Sequence, residues 1–327
     1  PARRARVVAL VASIALLSVE SAAEPLMDYE YGGALAQLGR LRMLGERLSK
    51  QNVLYQLHLA DQHKLELIET AGEIQETLEL LRSGRPLMAV PRPPNELIRK
   101  QLGEIEAAWL PLQRMAKASP FEHLRRSREF IDPKDERGDP LLILYFDDLA
   151  RRLVEEASQA ARLYVEACDK DGWTNCEEAA VAGIPHMLTE RIVKEAVLVF
   201  AGMEPEENQE RLKATRKELE GKLAQTGGIE LVKQATDSES GESGSYAAEL
   251  WQDIGTAWRR LDDELELVVR GHAEERNLRR VVSLQVVMVG DMQRLAVALE
   301  QFAAVGQATP GLPTDPTPAV SSAPPER

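Results

Sequence analysis

Basic and acidic residues recur at one spacing twice in this chain. The stretch Gly39-Arg-Leu-Arg-Met-Leu-Gly-Glu-Arg-Leu-Ser-Lys50 returns as Gly183-Ile-Pro-His-Met-Leu-Thr-Glu-Arg-Ile-Val-Lys194, with Gly39/Gly183, Met43/Met187, Leu44/Leu188, Glu46/Glu190, Arg47/Arg191 and Lys50/Lys194 identical. A guanidinium presents planar, forked donors suited to an oxyanion. Arg42, Arg47 and Arg191 carry that group, and Arg47 and Arg191, with Lys50 and Lys194, could add positive potential near a ligand. His186 stands where the first copy has Arg42; neutral unless a partner raises its pKa, it would bind an anion more weakly and with a pH dependence. Each group also has a plainer reading. An arginine on a helix is more often solvated or ion-paired, and Glu46 to Lys50 and Glu190 to Lys194 are i,i+4 pairs in the favourable order, worth about 0.2 to 0.5 kcal/mol each. Met43, Met187, Leu44 and Leu188 read as core packing. His186 and Glu190 could offer two metal ligands, but the sequence names no others.

Other chemistry finds no support. The chain has no Glu-x-x-His pair of di-iron bundles, and no Gly-rich phosphate loop, nucleophile elbow or zinc-protease helix. An enzyme is not expected, nor is a cofactor or metal. A net charge of -13 without a Lys/Arg-rich run argues against nucleic acid as partner. It also makes any anion site local, since a few cations must overcome repulsive surroundings.

The elements that must position these residues are helices. Aromatics make up only 5% of 327 residues, and Leu, Ala and Glu dominate, which favours an all-α fold. In the first half, apolar spacing and breakers predict helices over 29–59, 61–82, 95–117 and 140–167, with Leu65, Ile68 and Leu97 among the inward residues. The Pro-rich 83–94 must be a loop. The second half repeats the plan over 177–200, 206–223, 246–269 and 273–302, with Pro185 disrupting its turn and a polar Gly/Ser-rich connection over 225–245. Trp109 and Trp258 fall at matching places, in Ile-Glu-Ala-Ala-Trp and Ile-Gly-Thr-Ala-Trp. Self-similarity of this kind predicts two tandem four-helix bundles, 24–168 and 177–305, joined by a junction loop at 169–176. Residues 306–327, rich in Ala, Thr, Pro and Ser, read as a disordered tail.

Residues 1–23 read as a signal peptide: Arg3, Arg4 and Arg6 precede an apolar run from Val7 to Val19 and the small residues Ser21-Ala22-Ala23. The run is too short to cross a bilayer, which makes a cleaved leader and a periplasmic protein without a membrane span the expectation. Cys168 and Cys176, the two cysteines, suit a disulfide closing a short loop in an exported protein; two free thiols are the alternative.

The Gly-x-x-Arg-Met-Leu-x-x-Arg core resembles the PilJ-type sensor domain at the N-terminus of type IV pilus chemoreceptors. That family is related to periplasmic nitrate/nitrite sensors, whose P-box reads Gly-x-Leu-Arg-Met-x-x-x-Arg-Leu; Gly39, Leu41, Arg42, Met43, Arg47 and Leu48 match it. The resemblance implies that Arg42 contacts a small anion such as nitrate or nitrite. It also implies that two P-box helices share one anion, either within one chain, pairing Arg42 with His186, or across a homodimer. His186 departs from the pattern and puts the second site in doubt. The expected function is that of an exported, soluble ligand-binding sensor without its own signalling module. The alternative is a structural or adaptor bundle of the cell envelope that binds a receptor or pilus component.

Overall fold

Between Leu41 and Gln56 every residue except Arg47 is buried. A helix with that profile has protein on nearly all sides, and the rest of the first half of the chain supplies it. The computed structural model describes residues 28–57, 59, 63–117, 139–173, 176–227 and 242–307. Helix α1 spans Asp28–Gln56, α2 His63–Ser83, α3 Glu96–Lys117, α4 Pro140–Lys170, α5 Cys176–Ala182, α6 Ile184–Phe200, α7 Pro205–Gly227, α8 Glu242–Val269 and α9 Glu275–Gln307. No strand occurs among the described residues, and the fold is an all-α helical bundle. The expected leader and most of the expected tail lie outside the described residues, as do residues 118–138.

Two compact units are present. Described residues up to Leu219, with Val268–Ala273, form the first; Glu220–Leu267 and the residues from Glu274 form the second. In the first unit α1 packs against α2, α4, α5 and α6, α3 bridges α2 and α4, and α5 touches both α4 and α6. Both copies of the repeated motif therefore belong to one unit. The junction drawn at 169–176 falls inside it, and the helix expected over 177–200 packs on α1.

Local signals set the helix ends. Asn95 Oδ1 accepts from the Ile98 amide at 2.9 Å, and Asp139 caps α4 by accepting from the Leu141 amide at 2.9 Å, with Pro140 in the first turn where no N–H is needed. Cys168 and Cys176 are joined in a disulfide with Cα atoms 6.4 Å apart, tying the end of α4 to the start of α5. Between α2 and α3 a 3-10 turn, Pro86–Met88, is pinned by the antiparallel bridge of Arg85 and Val90. Gly33 is essential there, because a Cβ would come 1.9 Å from the Ala89 carbonyl oxygen.

Several expected details shift. Leu65 and Ile68 are 67% and 51% exposed, and Leu97 is 58% exposed while its neighbour Ile98 is fully buried. Ile68 and Leu97 each sit one position from a buried residue, and Leu65 lies between the buried His63 and Leu67, so residue type alone misassigned all three. Gly183 interrupts the expected 177–200 helix, dividing it into α5 and α6, with Pro185 in the first turn of α6. Helix α9 continues past Phe302 to Gln307.

In the second unit, α8 buries Leu250, Ile254, Ala257, Leu261 and Leu265, and α9 buries Leu278, Val281, Gln285 and Met288. Asn277 of α9 donates to Glu264 of α8 at 2.8 Å. Trp109 is buried in the first unit and donates to Gln75 at 3.0 Å; its sequence counterpart Trp258 is only half-buried.

Candidate functional site

Helices α1 and α6 approach closely because a glycine from each lies at the contact. A Cβ built on Gly183 would stand 3.2 Å from Gly39 Cα, and one on Gly39 would stand 3.7 Å from Gly183 Cα. About two to three turns further on, the identical residues of the motif meet in a reciprocal arrangement. Glu46 accepts from Arg191 Nε at 2.8 Å on one oxygen and from Lys194 Nζ at 2.8 Å on the other. Glu190 accepts from Arg47 Nε at 3.0 Å and meets Lys50 Nζ at 2.6 Å. Each copy thus supplies the carboxylate that holds the other copy's two cations. The close pairs run across the helices, whereas the sequence suggested pairing along each one. The burial profile is matched as well: from Met187 to Leu198 every residue except Arg191 is buried, as every residue around Arg47 is in α1.

Helix α4 adds a third carboxylate. Asp147 accepts from Ser49 Oγ at 2.7 Å and from Lys194 Nζ at 2.7 Å, with Arg151 at 3.3 Å. Burial alone would raise the pKa of Asp147, but Lys194, Ser49 and Arg151 together hold it below the ordinary carboxylate value. The same balance applies to Glu190, which burial would raise and which Lys50 and Arg47 bring down. Lys194 is fully enclosed, and Asp147 and Glu46 more than offset the desolvation that would lower its pKa. All three ions stay charged because each has an opposite charge within hydrogen-bonding distance. Such a set is costly to break, since removing one member leaves a buried charge unpaired.

Arg42 and His186, aligned with each other in the repeat, are not drawn into this set. Arg42 is 6% exposed; its Nη2 donates to the Ala180 carbonyl at 2.7 Å, its Nε has no hydrogen-bond partner, and no carboxylate is paired with it among the described residues. Burial lowers its pKa. His186 Nε2 also lacks a partner. Its pKa falls to about 4, chiefly through burial, with Glu190 opposing and Arg47 and Lys50 adding to the fall, so the imidazole is neutral at pH 7. Met43, Leu44, Met187 and Leu188 are buried.

Four contributors were not foreseen from the sequence: Asp147, Ser49, the Ala180 carbonyl and Glu195. Asp147 had a signal, because it falls on the face of α4 that carries Ile143, Phe146 and Ala150. Glu195 had one too, a second charge inside the apolar run Val193 to Leu198. The Ala180 carbonyl had none, since its place depends on the break at Gly183. Among the described residues no cluster of His, Cys, Asp or Glu is arranged to hold a metal, and no described helix is long and apolar enough to cross a membrane.

A bundle whose central helix is clamped by buried ions to a second copy of its own motif is the class of domain that fold and site define. Residues 31–125, which include α2, α3 and most of α1, match the PilJ family, described as the type IV pili methyl-accepting chemotaxis transducer N-terminal domain. That segment is thus similar to a chemotaxis-type sensory helical domain. No curated protein and no solved structure matches the chain.

Proposed function

We propose that the protein is an exported ligand-binding sensor in which Arg42 binds a small oxyanion such as nitrate or nitrite. The observation that carries this reading is the contrast within one motif. Arg47, Lys50, Arg191 and Lys194 are engaged with carboxylates, whereas Arg42 is buried with an unpaired Nε and no carboxylate. A buried guanidinium in that condition gains from an anion what the other cations already have. Arg47 and Arg191 contribute positive potential while ion-paired, and His186, neutral and unbonded at Nε2, can donate or accept one hydrogen bond. The crossing of α1 and α6 supports pairing of the two copies within one chain. The two halves are then diverged copies of one bundle plan, 24–168 and 177–305. The leader-like residues 1–23 and the Cys168–Cys176 disulfide support export, because such bonds persist in oxidising compartments.

Thermal unfolding with nitrate, nitrite, chloride and sulfate tests the assignment. A ligand at 100 times its dissociation constant stabilises by about 2.7 kcal/mol. A shift with nitrate or nitrite that disappears in Arg42→Ala is the expected result; equal shifts in both proteins would remove Arg42 from the site. The second reading, an envelope adaptor whose helices need no ligand, draws on the internally neutralised Glu46 and Glu190 pairs. It gains if no anion shifts either protein and a specific envelope partner is recovered with wild type and Arg42→Ala alike.

A further inference from the structure

Within the first unit a second feature lies away from Arg42. Helices α4, α6 and α7 line a groove of about 400 Å³. At its floor Glu195 is 5% exposed; its carboxylate takes a hydrogen bond from Thr215, while Oε2 has no partner. A buried carboxylate oxygen left bare costs free energy that a ligand donor would recover. The groove wall carries Arg151, Arg162, Arg191 and Arg211 beside Glu155 and Glu218; Arg151, Arg191 and Arg211 are ion-paired. Arg162 is exposed and donates only to Gln159 among the described residues, so its charge is available to an anion. The feature has no counterpart in the first copy, where Gln51 occupies the position aligned with Glu195.

We propose that this groove binds a small hydroxycarboxylate, whose carboxylate is held by Arg162 and whose hydroxyl donates to Glu195 Oε2. The anionic end follows from the arginines in a chain whose overall charge is -13, where local cations are what make an anion site feasible. The hydroxyl follows from the floor: an acceptor without a donor calls for an O–H or N–H, and Lys194 and Arg191 beside it disfavour an ammonium. The charges sharing the groove with Glu195 are Lys194 and Arg191 on α6, Arg151, Glu155 and Arg162 on α4, and Arg211 and Glu218 on α7; Glu46 of α1 lies near enough to add to its shift. Burial raises the Glu195 pKa to about 7, Glu46 adding and Lys194, Thr215 and Arg191 opposing. A hydroxyl donor selects the ionised carboxylate, so binding tightens as pH rises toward 8 and releases a proton near pH 7.

The test is calorimetric titration of the full chain with lactate, malate and gluconate, with propanoate and alanine as controls lacking the hydroxyl. Titration in two buffers of different ionisation enthalpy counts the protons released. At least one hydroxy acid is expected to bind at least tenfold more tightly than propanoate or alanine, with proton release in wild type and none in Glu195→Gln. Arg162→Ala, at an exposed position, should weaken binding at least tenfold without altering the fold, and Arg42→Ala should leave it unchanged. Binding of no hydroxy acid would overturn the proposal. So would equal binding of propanoate, or affinities indifferent to both Glu195→Gln and Arg162→Ala. Loss of nitrate binding in Arg42→Ala with hydroxy-acid binding intact would separate the two sites.

Discussion

In the first copy of the motif Arg47 and Lys50 reach Glu190; in the second, Arg191 and Lys194 reach Glu46. Positions that are identical between the copies thus act on each other across the crossing. Positions that differ behave otherwise: Arg42 against His186 and Gln51 against Glu195 all carry a buried polar atom without a partner. The identical Glu, Arg and Lys form the ionic clamp, whereas at these two diverged positions a polar atom is left without a partner. Ser49, aligned with Val193, is also diverged but bonds Asp147. A repeat that closes on itself must keep both halves of each pair, while a ligand-facing position is free to change in one half only.

The largest effect should come from breaking the clamp. Glu46→Gln or Glu190→Gln leaves two cations without their shared carboxylate, and each should cost about 3 to 5 kcal/mol of stability, read from denaturant midpoints. Glu46→Gln should cost no more than Glu190→Gln, because Lys194 keeps Asp147 at 2.7 Å when Glu46 is lost. A loss under about 1 kcal/mol in both would show that the pairs contribute no more than surface ion pairs do.

The diverged positions should show opposite pH dependence. His186 has a folded pKa near 4 against an ordinary 6.5. Its contribution is present above pH 6.5 and lost as pH falls toward 4, because the unfolded chain takes up a proton that the folded imidazole refuses. Glu195 has a folded pKa near 7 against an ordinary 4.5. Its contribution is present below pH 4.5 and lost as pH rises through 7. Each shift corresponds to about 3 kcal/mol at the unfavourable end. Accordingly His186→Gln should flatten the acid limb of the stability profile and Glu195→Gln the limb approaching neutrality. Stability profiles indistinguishable from wild type for both variants would remove the electrostatic contrast between the copies.

The smallest effect concerns the glycine contact. Gly183→Ala brings a Cβ to 3.2 Å of Gly39 Cα and should cost about 1 kcal/mol through crowding. Gly39→Ala meets ordinary contact at 3.7 Å and should be nearly neutral, helped by the better helix propensity of alanine. Thermal unfolding resolves the difference, and a larger loss for Gly39→Ala would contradict the geometry.

Much of this was legible beforehand, for reasons that residues supply. The motif's two copies could be aligned on six identities, and Pro185 marked a weak point in the second helix, where the break itself falls at Gly183. The direction of Glu46 and Glu190 could not be read, because a glutamate reaches i+4 on its own helix as readily as a cation on a neighbour. Nor could the exposure of Leu65 and Ile68, whose type fits either face of α2. The near-complete enclosure of α1 was also hidden: Ser49, Lys50, Gln51, Asn52 and Gln56 look like a solvated face, yet all are buried. Only tertiary partners such as Asp147 reveal why a polar run can be central.

The most direct test of the central claim is nitrate titration, followed by calorimetry, of wild type, Arg42→Gln and Arg47→Gln. Both variants remove one guanidinium from the same helix, but only Arg42 lacks a carboxylate partner. The account predicts that Arg42→Gln abolishes nitrate binding, whereas Arg47→Gln, though less stable, retains it within a fewfold. Binding that survives Arg42→Gln and vanishes in Arg47→Gln would contradict it.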